Sequence, residues 1–264
     1  TTTNTPAYPD DLILTGAQQE IDILTKTGKP WLLAVGFIKP HLPFTAPQKF
    51  LDHYKNVEFP PIPDPNKPTG PSLWHRSGEF MGNYADKNDP RKNADYALKV
   101  RKHYAASTSY VDDNVGKLLA YLEKSGTTNN TIIILWGDHG FSLGEKAIWG
   151  KHHLYHTALH SPLIIKIPNQ QTAGKPSDAV AETVDIFPTL CELANIPLPD
   201  GLDGMSLARV VSNPTTPSDG TAISFWAGNK SIITKDTHTI LKKDQPFLKF
   251  DLTKDPHETN NLIK

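Results

Sequence analysis

Asp138 and His139 stand side by side at the end of an apolar run, and Lys151 follows thirteen residues after the aspartate. A carboxylate beside an imidazole is a pair able to ligate a divalent cation, and a lysine ammonium is a compact charge suited to lie against an anion. A second candidate, His41, sits in Phe37-Ile38-Lys39-Pro40-His41-Leu42-Pro43-Phe44, where prolines fix the backbone on both sides of one histidine. A neutral imidazole titrates near pH 6.5 and can both give and take a proton, so a rigidly presented histidine suits acid-base work. The plainer alternative for Asp138-His139-Gly140 is a simple turn in which the aspartate bonds its own backbone.

Elements must deliver these groups. Thr131 to Trp136 is apolar and β-branched without alternation, which predicts a strand covered on both faces, as in the parallel sheet of an α/β protein. Ligands of open α/β sheets bind beyond the carboxyl ends of the strands, so Asp138 and His139 fall at the active edge. Trp31 to Gly36 predicts a second strand leading into the His41 loop. Asp11 to Lys26 has helical spacing, and Asp89 to Ser125 predicts one long helix or two, with a core stripe through Tyr104, Ser107, Val111, Val115, Leu118, Leu119 and Leu122 and a stop at Gly126. Pro43 to Pro71 reads as a long irregular excursion, His160 to Pro168 as a strand and Thr183 to Leu193 as a helix. Beyond Ser206, Ile223 to Trp226, Ser231 to Thr234, His238 to Lys242 and Leu248 to Leu252 predict a small antiparallel sheet.

Six segments together resemble the sulfatases of the alkaline-phosphatase-like superfamily, and within them the iduronate-2-sulfatase-like branch: LAVGFIKPHLPF (33–44), YAASTSYVDDNVGKLLAYLEKSG (104–126), TIIILWGDHGFSLGEKAIWGK (131–151), HSPLIIKIP (160–168), VDIFPTLCELANIPLPDGLDGMSL (184–207) and FDLTKDPHETNNL (250–262). The resemblance implies an α/β fold: a sulfatase sandwich with a mostly parallel central sheet flanked by helices, plus a small C-terminal antiparallel subdomain. The expected division is a catalytic portion over residues 1–205 and a subdomain over 206–264. It also implies that the family's Cys-x-Pro-x-Arg element, whose cysteine becomes the formylglycine nucleophile, belongs to an N-terminal segment. The single cysteine here, Cys191, lies in TLCELANIP and does not fit that pattern, so it reads as a small buried side chain. The chain is therefore expected to be the C-terminal portion of a sulfatase, whose partner is that N-terminal segment.

By the same resemblance, Asp138 and His139 are ligands of a Ca²⁺ ion, although an imidazole suits a hard, oxygen-preferring ion less well than an amide would. Lys151 contacts a sulfate oxygen and assists the leaving group, and His41 lies against the sulfate as proton donor. Lys39, Trp149, His152 and His153 are expected around the substrate. His156 and His160, four apart, could bind zinc if helical, but the resemblance places His160 at the start of a strand. Asp112 and Asp113 are consecutive on a helix and point in different directions, as on a solvated face. The implied activity is hydrolysis of a sulfate ester on a sulfated carbohydrate. A phosphodiesterase of the same superfamily and a noncatalytic binding fragment are the alternatives.

Composition bounds these readings. The 264 residues suffice for a sizeable core, and 38% hydrophobic content suits a globular chain. A net charge of −1 gives no long-range attraction for nucleic acid or an acidic polymer, so a sulfated substrate must be held by local basic groups. No apolar run approaches the ~20 residues of a membrane span. Compartment cannot be read from these residues, and the resemblance implies a secreted, periplasmic or lysosomal type.

Overall fold

A computed structural model describes residues 8–217 and 220–263. They form two compact units, residues up to 61 with 79–131, and residues 62–78 with 132 onward.

The first unit is built on two helices, α1 (Pro9–Lys26) and α4 (Ala94–Lys124), with the short α2 (Gln48–His53) laid against α4. Proline opens α1, where its missing N–H costs nothing, and Leu14, Ala17 and Ile21 form its buried stripe at the expected spacing. Asn93 caps α4 by accepting from the Tyr96 amide, and Gly126, at φ 77°, follows its last turn as the sequence predicts. The buried face of α4 runs through Ala97, Val100, Ala106, Ser107, Tyr110, Asn114 and Leu122. The expected stripe shares only Ser107 and Leu122 with it, and Leu119 is exposed. The physical reason is the partner: Tyr110 packs with Ala46 and Ala106 against Tyr8, Phe50, Leu51 and Tyr54, and its hydroxyl donates to Asp11 at 2.8 Å. Asp113, on the outer side, pairs with Lys117 at 2.8 Å and Lys49 at 3.6 Å, the solvated face expected of it.

Trp31 to Gly36 is a correction. This segment joins no ladder among the described residues, and its burial alternates residue by residue, with Leu32 79% exposed. Alternation of that kind is what a strand presents when one face is covered.

In the second unit, β1 (Ile133–Trp136) pairs with β4 (Leu163–Lys166), register Ile133 to Lys166 and Trp136 to Leu163. The pairing is antiparallel, not the parallel arrangement expected for the Thr131–Trp136 strand. Between them lie the small hairpin of β2 (Ser142–Leu143) and β3 (Trp149–Gly150), and the one-turn helix α5 (His156–Leu159). His160 caps α5 and does not start the following strand. Farther on come α6 (Ile186–Leu193), which holds the buried Cys191, and α7 (Ala208–Ser212). An antiparallel meander follows, of β5 (Ala222–Trp226), β6 (Asn229–Ile233), β7 (Thr237–Lys242) and β8 (Gln245–Asp251). These strands match the four expected segments to within a few residues.

The meander does not form a core of its own. Ile240, Leu248 and Phe250 are buried in one cluster with Ile148, Leu154 and Tyr155, and Leu73 and Trp74 pack on it. The sheet and the segment after Asp138 thus lie in one compact unit and share one buried cluster. Part of the Pro43–Pro71 excursion enters the same body, since the Lys146 ammonium binds Asp64 at 3.1 Å and the His257 carbonyl at 2.7 Å.

Candidate functional site

The Asp138-His139 turn is held at both ends by backbone. Gly137 donates to the Pro162 carbonyl at 2.9 Å and accepts from the Ser161 hydroxyl at 2.7 Å. Gly140 donates to the Ala158 carbonyl at 2.8 Å. Close approach requires glycine at 140, where a Cβ would lie 2.2 Å from the Thr157 carbonyl oxygen, and crowds position 137, where one would lie 3.2 Å from Ser161 and Pro162. The ladder of β1 on β4 and the turn of α5 thus set where the two side chains start.

Their orientation follows from hydrogen bonding. Nδ1 of His139 donates to the Gly140 carbonyl at 2.8 Å, which orients the ring. Its Nε2 is 3.6 Å from Oδ2 of Asp138, while Oδ1 accepts the His139 amide at 3.0 Å. With the ring neutral, Nε2 would offer a lone pair beside the carboxylate. The Asp138 side chain is largely exposed, and both residues line one broad open concavity of this unit, together with Trp136, His156 and His160. The pair fits as two ligands of a divalent cation; among the described residues no group of three or more His, Cys, Asp or Glu side chains gathers to hold one.

His156 and His160 do lie on a helical turn, with rings stacked at 4.7 Å and 9°. Burial, and then the neighbouring His160, lower the His156 pKa below the ordinary histidine range.

In the first unit, Asp10 is 1% exposed and its carboxylate accepts the Ile38 amide at 2.8 Å and the Lys39 amide at 3.0 Å. Asp10 thereby fixes the entry to the His41 loop, a role that nothing in the sequence pattern indicates. The Lys39–Pro40 and Leu42–Pro43 bonds are both cis. Nδ1 of His41 donates to the Leu42 carbonyl at 2.8 Å, and its Nε2 lies 3.9 Å from Glu79.

Three of the four expected substrate-facing residues prove to be internal. The Lys39 ammonium donates to the Pro43 carbonyl at 2.6 Å, and burial, only partly opposed by Asp10, lowers its pKa. Trp149 is 1% exposed, its amide donating to Ser77 at 2.9 Å. His153 is 3% exposed: it accepts from the Tyr155 amide at 3.2 Å and meets the Ser142 hydroxyl at 3.1 Å. Burial first, then the neighbouring His75, push the His153 pKa down to about 3. His152 is the exception, stacked on Trp226 with ring centroids 5.1 Å apart. Lys151 directly follows β3 and does not line the concavity of Asp138 and His139.

The sulfatase family profile matches residues 1–196, and the profile of the C-terminal region of N-sulphoglucosamine sulphohydrolase matches residues 144–264. A sulfatase of Formosa agariphila is 30% identical over 269 residues, covering 99% of this chain and 52% of its own length. Human iduronate 2-sulfatase is 31% identical over 224 residues, covering 72% of this chain and 40% of that protein. The chain thus spans about half the length of the curated relatives it matches. Among solved structures, one described as in complex with its substrate D-glucosamine-2-N,6-O-disulfate superposes with a TM-score of 0.79 at 24% identity, over 98% of this chain and 66% of the other. A phosphonate monoester hydrolase from Silicibacter pomeroyi superposes with a TM-score of 0.76 at 22% identity, over 97% and 56%. These likenesses carry the expected sulfatase-type α/β fold, and with the match of the family profile to most of its length they establish that this chain belongs to the sulfatase family.

Proposed function

We propose that this chain is the C-terminal portion of a sulfuric ester hydrolase acting on a sulfated carbohydrate. The observation that carries the reading is His139 Nε2 set 3.6 Å from Asp138 Oδ2, both side chains oriented by backbone, in a chain of the sulfatase family. Relatives named iduronate 2-sulfatase and N-acetylglucosamine-6-O-sulfatase, the latter 33% identical over 178 residues, support a saccharide ester as substrate.

Sulfate ester hydrolysis places negative charge on the sulfuryl oxygens and on the departing alkoxide. Asp138 and His139 would hold a Ca²⁺ ion, which when bound supplies Lewis-acid stabilisation of that charge. Lys151 provides a fixed positive charge for a sulfate oxygen. His41, protonated on both ring nitrogens, would give its Nε2 proton to the leaving oxygen while Nδ1 keeps its bond to the Leu42 carbonyl. The nucleophile in this reading is a formylglycine on an N-terminal segment of the same enzyme.

A phosphoryl or phosphonyl ester is the second reading, favoured by the phosphonate monoester hydrolase that shares the fold. Turnover of an aryl sulfate and of the matching aryl phosphate by the full enzyme, before and after chelation and with Ca²⁺ restored, tests both. Sulfate release lost with chelator and regained with Ca²⁺ is expected; preference for the phosphate ester would transfer the site to the second reading. Mass spectrometry of the purified enzyme should find formylglycine on the N-terminal segment, and an unmodified or missing segment together with absence of turnover would leave a binding fragment.

A further inference from the structure

Trp226 ends β5 at a tight turn, and nothing in the reading above uses it. Ala227 and Gly228 take φ of 49° and 77°, and Asn229 donates from Nδ2 to the carbonyls of Trp226 and Ala227, so the turn is rigid. Trp226 pairs in register with Asn229, and it shares a sheet face with Ser224 and Ser231, whose hydroxyl binds His238 inside the core. Its neighbour Phe225 points to the other face. The indole thus continues the core-facing side of the meander past the end of the core, where the chain passes with His152. The two rings stack at 29°, and Trp226 nevertheless remains 46% exposed. A tryptophan held by a ladder, a turn and a ring stack has little rotamer freedom left to lose on binding.

We propose that Trp226, backed by His152, is a stacking platform for the pyranose ring of the sulfated saccharide. The proposal rests on the sulfatase reading and names where its substrate's sugar lies. Charge complementarity selects this occupant: His152, the ring stacked on Trp226, directly follows Lys151, the cation that the sulfatase reading sets against the sulfate. The apolar C–H face of a pyranose suits the flat indole, and its rim of hydroxyls suits the polar turn and water. Lys230 lies over Phe225 on the opposite face, which leaves the Trp226 side without that cation.

Two measurements test this on the full enzyme. In the first, a glucosamine-6-sulfate disaccharide is titrated while the indole N–H resonance of Trp226, assigned from Trp226→Phe, is followed; a saturable shift is expected, and an unmoved resonance overturns the platform. In the second, kcat/KM is measured for the disaccharide and for an aryl sulfate. The preference for the saccharide should fall about five- to tenfold in Trp226→Ala, the size of one aromatic contact, through KM, and recover in Trp226→Phe. An unchanged preference, or a fall confined to kcat, overturns the proposal. A shifting indole resonance in an enzyme that hydrolyses no sulfate ester would instead reject the sulfatase reading and retain the sugar platform.

Discussion

The carboxylate of Glu258 accepts the backbone amide of His156 at 2.8 Å, although 102 positions separate the two residues. Its other oxygen meets Nδ1 of His238, whose Nε2 lies 2.7 Å from the Ser231 hydroxyl. The closing turn of the chain therefore grips the first residue of α5, and α5 in turn receives the Gly140 amide beside the Asp138-His139 pair.

Glu258 is 4% exposed, and its removal leaves both the His238 ring and the His156 amide without an acceptor in the interior. Glu258→Ala should cost about 2–4 kcal/mol, and Glu258→Gln less, because an amide oxygen still accepts one bond. Urea unfolding measures both; an alanine variant within about 0.5 kcal/mol of the parent would show that α5 stands without this brace.

Gly140→Ala places a methyl 2.2 Å from the Thr157 carbonyl oxygen, so either the turn or α5 has to shift. On the proposed cation site, Ca²⁺ affinity measured by calorimetry should fall about tenfold or more along with stability. Gly16→Ala is the internal comparison: it lies in α1 with nothing within 4 Å of the added carbon, and should stabilise by about 0.5–1 kcal/mol. Equal effects from the two substitutions would remove the steric argument.

Asp10 is a buried anion satisfied by two backbone amides at the start of the His41 loop. Asp10→Ala should destabilise the first unit by about 2–4 kcal/mol and also lower kcat, because the backbone that presents His41 loses its clamp. Asp10→Asn keeps one acceptor and should recover part of the rate. Were kcat unaffected in the alanine variant while its melting temperature fell, Asp10 would hold the fold without positioning His41.

How far these features could be read from the residues depends on whether they are local. The α1 stripe, the Gly126 stop and the four strands of the meander follow from periodicity and turn chemistry within a few neighbours, and the structure keeps them. The turn that carries Asp138 and His139 was legible because an apolar run ends there between two glycines. Burial of Trp149, Lys39 and His153 was not, because it depends on segments far along the chain: Ser77 supports Trp149, Asp10 and Pro43 hold Lys39, and His75 lies 5.8 Å from His153 ring to ring. The α4 stripe was misplaced for the same reason, since aromatic residues of α2 and its flanks chose the face that carries Tyr110. Trp226 had no signal at all beyond its strand, because its value lies in a stack with a residue on another element.

His153 also sets the acid limit of stability. Its pKa lies at about 3 in the folded chain against 6.5 when exposed, chiefly because burial disfavours the charged ring. The unfolded chain therefore binds the proton first as pH falls, so the stability contributed by the neutral ring is complete above 6.5 and is lost progressively down to about 3. His75 and His156 are lowered in the same direction by burial and neighbouring histidines, and add to the slope. Asp89, Asp113, Asp251 and Asp255 have lowered carboxyl pKa values, so their losses begin at more acid pH. Between about pH 7 and about pH 5 one such histidine accounts for about 2 kcal/mol, and urea unfolding at the two values should show at least that difference. In His153→Gln, which keeps an amide opposite Ser142 but cannot titrate, the difference should shrink by a similar amount; an undiminished slope would place the acid sensitivity elsewhere.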